Sequence, residues 1–345
     1  MWYAPLLERR LAPDLLIRRE LGKRLRRRLA DERPDDAEGA QERLRALLAT
    51  MRESPVAGTD AGGPDPHEEV PPAFFELALG GRLKDSCALF GPGVASLGEA
   101  EEAMLALTCE RAQLADGQNV LELGCGWGSL TFFMAERYPG SRIVAVATSK
   151  VQREFVEARA KERGIANVKA VAADMNVFDP ATGPEFDRVV SVETLERMRN
   201  WPELLGRIAT WMRADARLFV HVGAHREVSG LLETRGEEDG RFRRLFPGGL
   251  LPSDALLLHC ADHVVVEDHW RLSGLHYRRT AEAWVANLDR NRRKLLALFR
   301  GVYGRENARR RLLEWRVSFL ARAELWGSRG GNEWIVSHYR LRRRR

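Results

Sequence analysis

The stretch VLELGCGWGSL, Val120–Leu130, decides the fold. It reads as an apolar strand that enters a glycine-rich turn and continues into a helix, with Glu122, Gly124, Gly126 and Gly128 at the turn. Glycine takes backbone angles that other residues avoid and lets a ligand approach the backbone closely. The stretch therefore predicts a ligand at this turn.

The spacing of the glycines distinguishes between two ligands. A dinucleotide fingerprint is G-x-G-x-x-G with an acid about 20 residues later, and its pyrophosphate binds at the helix N-terminus. Here the spacing is G-x-G-x-G, and Glu122 stands two residues before the first glycine. S-adenosylmethionine has no phosphate and needs a carboxylate near its amino group or ribose. The pattern favours S-adenosylmethionine over NAD; the alternative is a turn whose glycines serve packing alone.

Strands and helices alternate on both sides of this turn, which predicts an α/β fold with a Rossmann-like, doubly wound parallel sheet. Two later stretches, HVVVEDHWRL and NEWIVSHYRL, are predicted strands that flank a helical region over residues 280–325. Ligands of such sheets bind at the carboxyl ends of the strands. The ends of the second and third strands therefore add five candidate cofactor residues, with Asp174 a partner for the adenine amino group: Thr148, Ser149, Gln152, Asp174 and Met175.

Charge and composition limit the possible partners. The net charge of the 345 residues is +6, and basic residues cluster at 18–29 and at 339–345. Leucines recur from residue 7 to residue 29 mostly at four-residue spacing, which predicts an amphipathic helix with a basic face. We favour a helix packed on the domain over one that touches an anionic membrane. No aromatic residues interleave the basic ones, which argues against nucleic acid.

Neither a membrane span nor a signal peptide is visible, so we expect a cytoplasmic protein, with peripheral membrane contact as the alternative. The four cysteines show no paired spacing and predict reduced thiols. The histidine-containing stretch 259–277 matches no zinc spacing, so no metal site is expected. The sequence leaves the oligomeric state open.

Four motifs together resemble the cyclopropane-fatty-acyl-phospholipid synthase family, and within it the coclaurine N-methyltransferase-like branch. They are CERAQLADGQNVLELGCGWGSL, FDRVVSVETLERMRNW, WRLSGLHYRRTAEAWVANLD and GGNEWIVSHY. The resemblance covers about residues 70–341 and implies a class I S-adenosylmethionine-dependent methyltransferase. We expect a basic helical extension and linker at 1–72 and a methyltransferase domain at 73–345. Within that domain we expect a cofactor-binding core at 113–226, a substrate cap at about 227–315 and a closing strand at 333–341.

The resemblance also implies roles for particular residues. The stretch KDSCALF matches the family's Tyr-Ser/Thr-Cys motif at Ser86 and Cys87, with Asp85 in place of the aromatic residue. In lipid-modifying members a cysteine, a glutamate, a histidine and a tyrosine hold a bicarbonate that acts as the base. These roles fall on Cys87, Glu196, His221 and Tyr277. The resemblance therefore implies S-adenosylmethionine and, for the lipid route, bicarbonate.

The amine-methylating branch has E-x-x-E-H after its fourth strand, and this chain has Glu193, Glu196 and then Arg197. If a helix starts here, two residues three apart share a face, so both carboxylates can point into the crevice. They could bind an amine cation and remove its proton. His221 and His225 come to the end of the next strand as further catalytic candidates.

Arg197 has two interpretations. In the functional one it pairs with Glu196 or with an anionic group of the substrate; in the other it is a solvated residue without a role in the site. Methylation of a nitrogen in a small amphipathic amine is the favoured function. The alternatives are methylene transfer to a lipid acyl chain and a non-catalytic cofactor-binding protein.

Overall fold

The computed structural model describes residues 13–34, 36–58, 70–180, 185–231 and 249–344. The strands found within these ranges are β1 Asn119–Leu123, β2 Arg142–Ala147, β3 Val168–Ala172, β4 Phe186–Val192, β5 Met212–His225, β6 Gly230–Leu231, β7 Leu250–Leu251, β8 Val264–Ser273 and β9 Trp334–Arg343. The helices are α1 Asp14–Glu32, α2 Ala37–Glu53, α3 Pro72–Ala78, α4 Leu97–Arg111, α5 Ser129–Arg137, α6 Lys150–Glu162, α7 Trp201–Trp211, α8 Gly274–Arg290 and α9 Arg292–Trp326.

Seven of these strands form the central sheet in the order β3-β2-β1-β4-β5-β9-β8. The first five strands are parallel, and β1 lies between β2 and β4. The chain winds from β1 toward β3 on one side and from β4 toward β5 on the other. A crevice opens at such a reversal, beyond the carboxyl ends of β1 and β4. The predicted α/β, doubly wound fold is confirmed, and its switch point lies at the glycine turn.

The two strands predicted late in the chain extend the sheet in the antiparallel sense. β9 pairs with β5 in a register that sets His338 opposite His221, and β8 pairs with the other side of β9. Both residues are at most 1% exposed. This register brings a residue from the end of the chain to the carboxyl end of β5.

The helix boundaries follow local chemistry. Ser96 and Glu99 form a reciprocal capping box at the start of α4. Ser149 caps α6 by accepting from the backbone N–H of Gln152. The helix α9 is interrupted at Gly304, whose φ of 77° is not helical. These caps and this break come directly from the residues at those positions.

The N-terminal helix packs on the domain through α9. Arg18 binds Glu324 at 2.8 Å, and Arg316 binds Asp14 at 2.8 Å. Several leucines of α1 join the core, among them Leu25, which is 7% exposed. The sequence favoured a helix packed on the domain, and α1 is packed in this way. Leu7 and Leu11, which belong to the same predicted helix, lie outside the described residues.

The range expected to form the cap contains elements of two kinds. β8 belongs to the central sheet, whereas α8 and α9 pack against each other and against α3. Residues 232–248 of the expected cap lie outside the described residues. Among the residues that are described, no helix combines the length and the apolar character that crossing a bilayer requires.

Candidate active site

A pocket opens at the carboxyl ends of β1 and β4, with about 780 Å³ of empty space, part of it open to solvent. The expected cofactor residues that line it are Ser86, Glu122, Gly124, Gly126, Thr148 and Gln152. Six separate predictions therefore meet at one cavity.

The glycine turn has the open backbone that a ligand needs. Gly126 has φ +53°, and a Cβ built on it would meet nothing within 4 Å. Gly124 and Gly128 also have positive φ, but a Cβ there would lie 1.9 Å from Thr194 Oγ1 or 2.6 Å from the ring of Phe132. Packing therefore requires the outer two glycines, and Gly126 alone leaves free space toward the pocket.

Glu122 is a buried carboxylate at the floor of this pocket. It is 3% exposed, and Thr131 Oγ1 donates a hydrogen bond to its Oε2 at 2.5 Å. Burial raises the pKa of Glu122 to about 7, and the Thr131 hydrogen bond opposes that rise. A cationic group in the pocket would favour the charged form. The site thus fits a ligand that carries an amino group.

Four expected cofactor residues lie outside the lining of the pocket. Ser149 is used as a helix cap, and Gly128 is packed against Phe132. Asp174 is exposed and accepts from the backbone N–H of Asn176 at 2.9 Å, and Met175 is 4% exposed in the core. Their contact with the cofactor stays a prediction.

The carboxylate of Glu193, a residue that lines the pocket, receives three hydrogen bonds. Its Oε1 accepts from the backbone N–H of Cys87 at 2.8 Å and lies 3.2 Å from His221 Nε2. Its Oε2 accepts from the hydroxyl of Tyr277 at 2.7 Å. Burial raises the pKa of Tyr277 well above its usual value, which keeps this hydroxyl protonated. The three donors converge on one carboxylate.

A buried chain of imidazoles sets the direction of the His221 hydrogen bond. Arg111 Nη1 lies 2.8 Å from His338 Nδ1, and His338 Nε2 lies 2.9 Å from His221 Nδ1. A guanidinium only donates, so His338 accepts at Nδ1 and donates from Nε2. His221 therefore accepts at Nδ1 and donates from Nε2 to Glu193. Burial lowers the pKa of both histidines well below the usual value, which keeps them neutral.

Glu196 lies next to this cluster with half of its carboxylate unused. Its Oε1 accepts from the backbone N–H of Gly223 at 2.6 Å, and its buried Oε2 has no hydrogen-bond partner among the described residues. Burial and the nearby charge of Glu193 raise the pKa of Glu196 to about 8. Glu196 is thus a carboxyl that holds its proton near neutral pH.

Aromatic rings border Glu196. A Cβ on Gly223 would lie 2.7 Å from the ring of Trp326 and 3.4 Å from Glu196 Oε1, which places that indole beside the carboxylate. Trp326 stacks on Tyr277 with centroids 4.6 Å apart. Carboxylates and ring faces both attract cations. The arrangement suits a substrate that is apolar and carries a positive charge.

His225 makes hydrogen bonds of a different kind from those of His221. Its Nδ1 accepts from the backbone N–H groups of Glu227 and Val228 at 3.0 and 2.7 Å, and its ring packs on Trp334. Burial lowers its pKa to about 4. Its described contacts order the loop after β5, and its catalytic role stays a prediction.

Comparison with known proteins identifies the family. The family model described as mycolic acid cyclopropane synthetase matches residues 64–306. The chain belongs to this family. It is 37% identical to (S)-coclaurine N-methyltransferase of Thalictrum flavum subsp. glaucum over 96% of this chain and 92% of that protein. The resemblance drawn from the motifs is confirmed.

Two further comparisons locate the chain within the mycolic acid cyclopropane synthetase family. The crystal structure of coclaurine N-methyltransferase bound to N-methylheliamine and SAH matches with a TM-score of 0.91 at 34% identity, covering 98% of each chain. The cyclopropane-fatty-acyl-phospholipid synthase of Escherichia coli (strain K12) is 28% identical over 63% of this chain and 54% of that protein. The chain is a class I S-adenosylmethionine-dependent methyltransferase, and its cofactor is S-adenosylmethionine.

Three charged residues line the pocket whose place there the sequence analysis missed or left open. Lys84 is 3% exposed and donates to Ser86 Oγ, and burial lowers its pKa. Asp85, at the family's aromatic position, lies 3.6 Å from Arg322 of α9. Arg197 lines the pocket, which favours its functional interpretation. Lys84 stands two residues before Ser86 and could have been found from that motif; the partner of Asp85 could not.

Proposed function

We propose that this enzyme transfers a methyl group from S-adenosylmethionine to the nitrogen of a small amphipathic amine. The observation that carries the proposal is Glu196, a carboxyl with an unpartnered buried oxygen, a pKa of about 8 and the indole of Trp326 beside it. The identity and coverage of the match to coclaurine N-methyltransferases support an amine rather than a lipid acceptor.

Positioning and electrostatics account for most of what the chain contributes. S-adenosylmethionine supplies an electrophilic methyl group on a sulfonium, which needs no nucleophile from the protein. Glu122 and the open face of Gly126 are suited to hold its amino acid and nucleoside portions. The ring of Trp326 and the carboxylate of Glu193 favour an amine cation at the edge of the pocket.

Proton removal falls to Glu196 in this proposal. An amine attacks only through a free lone pair, so an ammonium must first lose its proton. Glu196 Oε2 accepts no hydrogen bond from the described residues, and a pKa of about 8 is close to working pH, where a general base is most effective. Glu193 already accepts three hydrogen bonds, which makes it the poorer acceptor of the two.

The assay uses purified protein and S-adenosylmethionine with a trideuteromethyl group. Two sets of substrates are compared: cyclic secondary amines that also carry an aromatic ring, and a phospholipid extract. Methyl transfer to nitrogen keeps all three deuteriums, whereas ring closure on an acyl chain must expel one to a base. We expect an amine product with full retention. A lipid product that has lost one deuterium would replace this proposal with methylene transfer.

We also propose that the exposed face of α1 makes peripheral contact with an anionic membrane. Leu15 and Leu16 are 75% and 56% exposed, and Arg19, Lys23 and Arg26 on the same helix are exposed. Such a surface supports weak binding to anionic lipid. Sedimentation with phosphatidylserine vesicles tests it, and absence of salt-sensitive co-sedimentation would dismiss it.

A further inference from the structure

The donor set that the family resemblance assigns to bicarbonate is already occupied by a side chain. The resemblance assigned that anion to Cys87, Glu196, His221 and Tyr277. In the structure the Cys87 backbone N–H, the His221 imidazole and the Tyr277 hydroxyl all meet the Glu193 carboxylate, at 2.8, 3.2 and 2.7 Å. The residues present therefore do not fit a separate bicarbonate.

A carboxylate and a bicarbonate ion present the same chemistry to these donors. Each is a planar anion whose oxygens, about 2.2 Å apart, accept hydrogen bonds in that plane. Two of the donors reach Glu193 Oε1 and the third reaches Oε2. We infer that Glu193 occupies the position that bicarbonate would take, as a fixed anion and not as the base, so that this enzyme works without bicarbonate. The inference deepens the proposed function and rests on it only for the activity assay.

Burial raises the pKa of Glu193, and the charge of Lys84 and the hydrogen bonds from Cys87 and Tyr277 oppose that rise. The imidazole chain fixes how this carboxylate is oriented. His221 must donate to Glu193 because His338 donates to His221 and Arg111 donates to His338. A guanidinium has no lone pair that could accept a proton. The chain therefore ends without an acceptor, and it orients Glu193 instead of carrying a proton away from the site.

The backbone conformation of Glu193 allows its side chain to be removed by substitution with glycine. Its φ is +48°, in the left-handed region that favours glycine. A non-glycine residue there costs about 1–2 kcal/mol, and such strain is found mainly at functional sites. Glu193→Gly therefore relieves strain, keeps the fold and leaves a space of carboxylate size in front of the three donors.

The experiment compares Glu193→Gly with Glu193→Gln, whose amide fills the same space without a charge. In buffer freed of carbon dioxide we expect the wild type to retain its full rate and both variants to lose about two to three powers of ten in kcat, the range for loss of one preorganised electrostatic group. Formate or bicarbonate should restore at least about tenfold in Glu193→Gly and nothing in Glu193→Gln; the recovery stays partial because a free anion lacks the advantage of a tethered one.

A binding measurement makes the test independent of turnover. Carbon-13 formate followed by NMR line broadening should report binding to Glu193→Gly and none to the wild type or Glu193→Gln. Three results would each overturn the inference. Formate could bind wild type and Glu193→Gly equally, it could neither bind nor rescue Glu193→Gly, or the wild-type rate could fall without bicarbonate. Formate binding confined to Glu193→Gly in an enzyme that methylates no amine would overturn the proposed function alone.

Discussion

Replacing Glu196 by glutamine should make the enzyme more stable and less active. Glutamine keeps an oxygen for the Gly223 N–H, which lies 2.6 Å from Oε1, but it cannot ionise. The wild-type carboxyl has its pKa raised from 4.5 to about 8 by burial and by Glu193. The substitution therefore removes a charge that the folded protein disfavours.

The magnitude follows from this rise in pKa. The folded state holds the proton more tightly than the unfolded state, so wild-type stability falls as the pH rises from about 4.5 through about 8. Each pKa unit is worth about 1.4 kcal/mol, which gives an upper limit of about 5 kcal/mol. Glu196 is half-buried as a whole residue, so water screens part of its charge, and we expect about 2–3 kcal/mol at pH 9.

Urea unfolding at pH 5, 7 and 9 measures this difference. The free energy of unfolding of Glu196→Gln should exceed that of wild type by an amount that grows from pH 5 to pH 9. Glu306→Gln, at an exposed position of α9, is the control for loss of one negative charge. Equal stability of Glu196→Gln and wild type at all three pH values would refute the assignment of a raised pKa.

Activity should change in the opposite direction. Glu196→Gln should bind cofactor normally and lose about two to four powers of ten in kcat, the range for a positioned base. The wild-type kcat should rise with pH through an apparent pKa near 8, because only the ionised carboxylate accepts a proton. A variant that keeps this rising limb at a normal rate would remove Glu196 from proton transfer.

Two further predictions concern the cofactor turn and the imidazole chain. Gly126→Val should abolish calorimetric binding of S-adenosylmethionine without unfolding the protein, because the valine side chain would enter the open space of the pocket. The control is Gly164→Val, which has a similar φ and open surroundings away from the pocket and should bind the cofactor normally. Equal binding by both variants would contradict the assignment. His338→Phe should lower kcat about tenfold with unchanged cofactor affinity, since His221 loses its fixed tautomer. His338→Gln, which can accept from Arg111 and donate to His221, should recover most of the rate, and a loss equal to that of His338→Phe would argue for a packing role.

The sequence by itself determined what depends on neighbouring residues. A strand, three glycines and a helix within Val120–Leu130 are enough to predict the cofactor turn, since glycine spacing acts locally. The alternation of strands and helices around this turn is enough to predict the sheet. Glu193 and Glu196 could likewise be recognised together because they lie three residues apart. The order of these local features along the chain was enough to indicate the family.

The tertiary structure alone decided which contacts each of the two glutamates makes. Cys87, His221 and Tyr277 are separated from Glu193 by 106, 28 and 84 positions, and they meet it only because the sheet and α8 close around the pocket. The resemblance grouped those residues with Glu196 instead.

His338 could not be found from its neighbours, because its contact with His221 depends on the antiparallel register of β5 and β9. Spacing along a chain reports which residues share a face, whereas the partner across a sheet or a pocket is set by register and packing, and those exist only in the folded molecule.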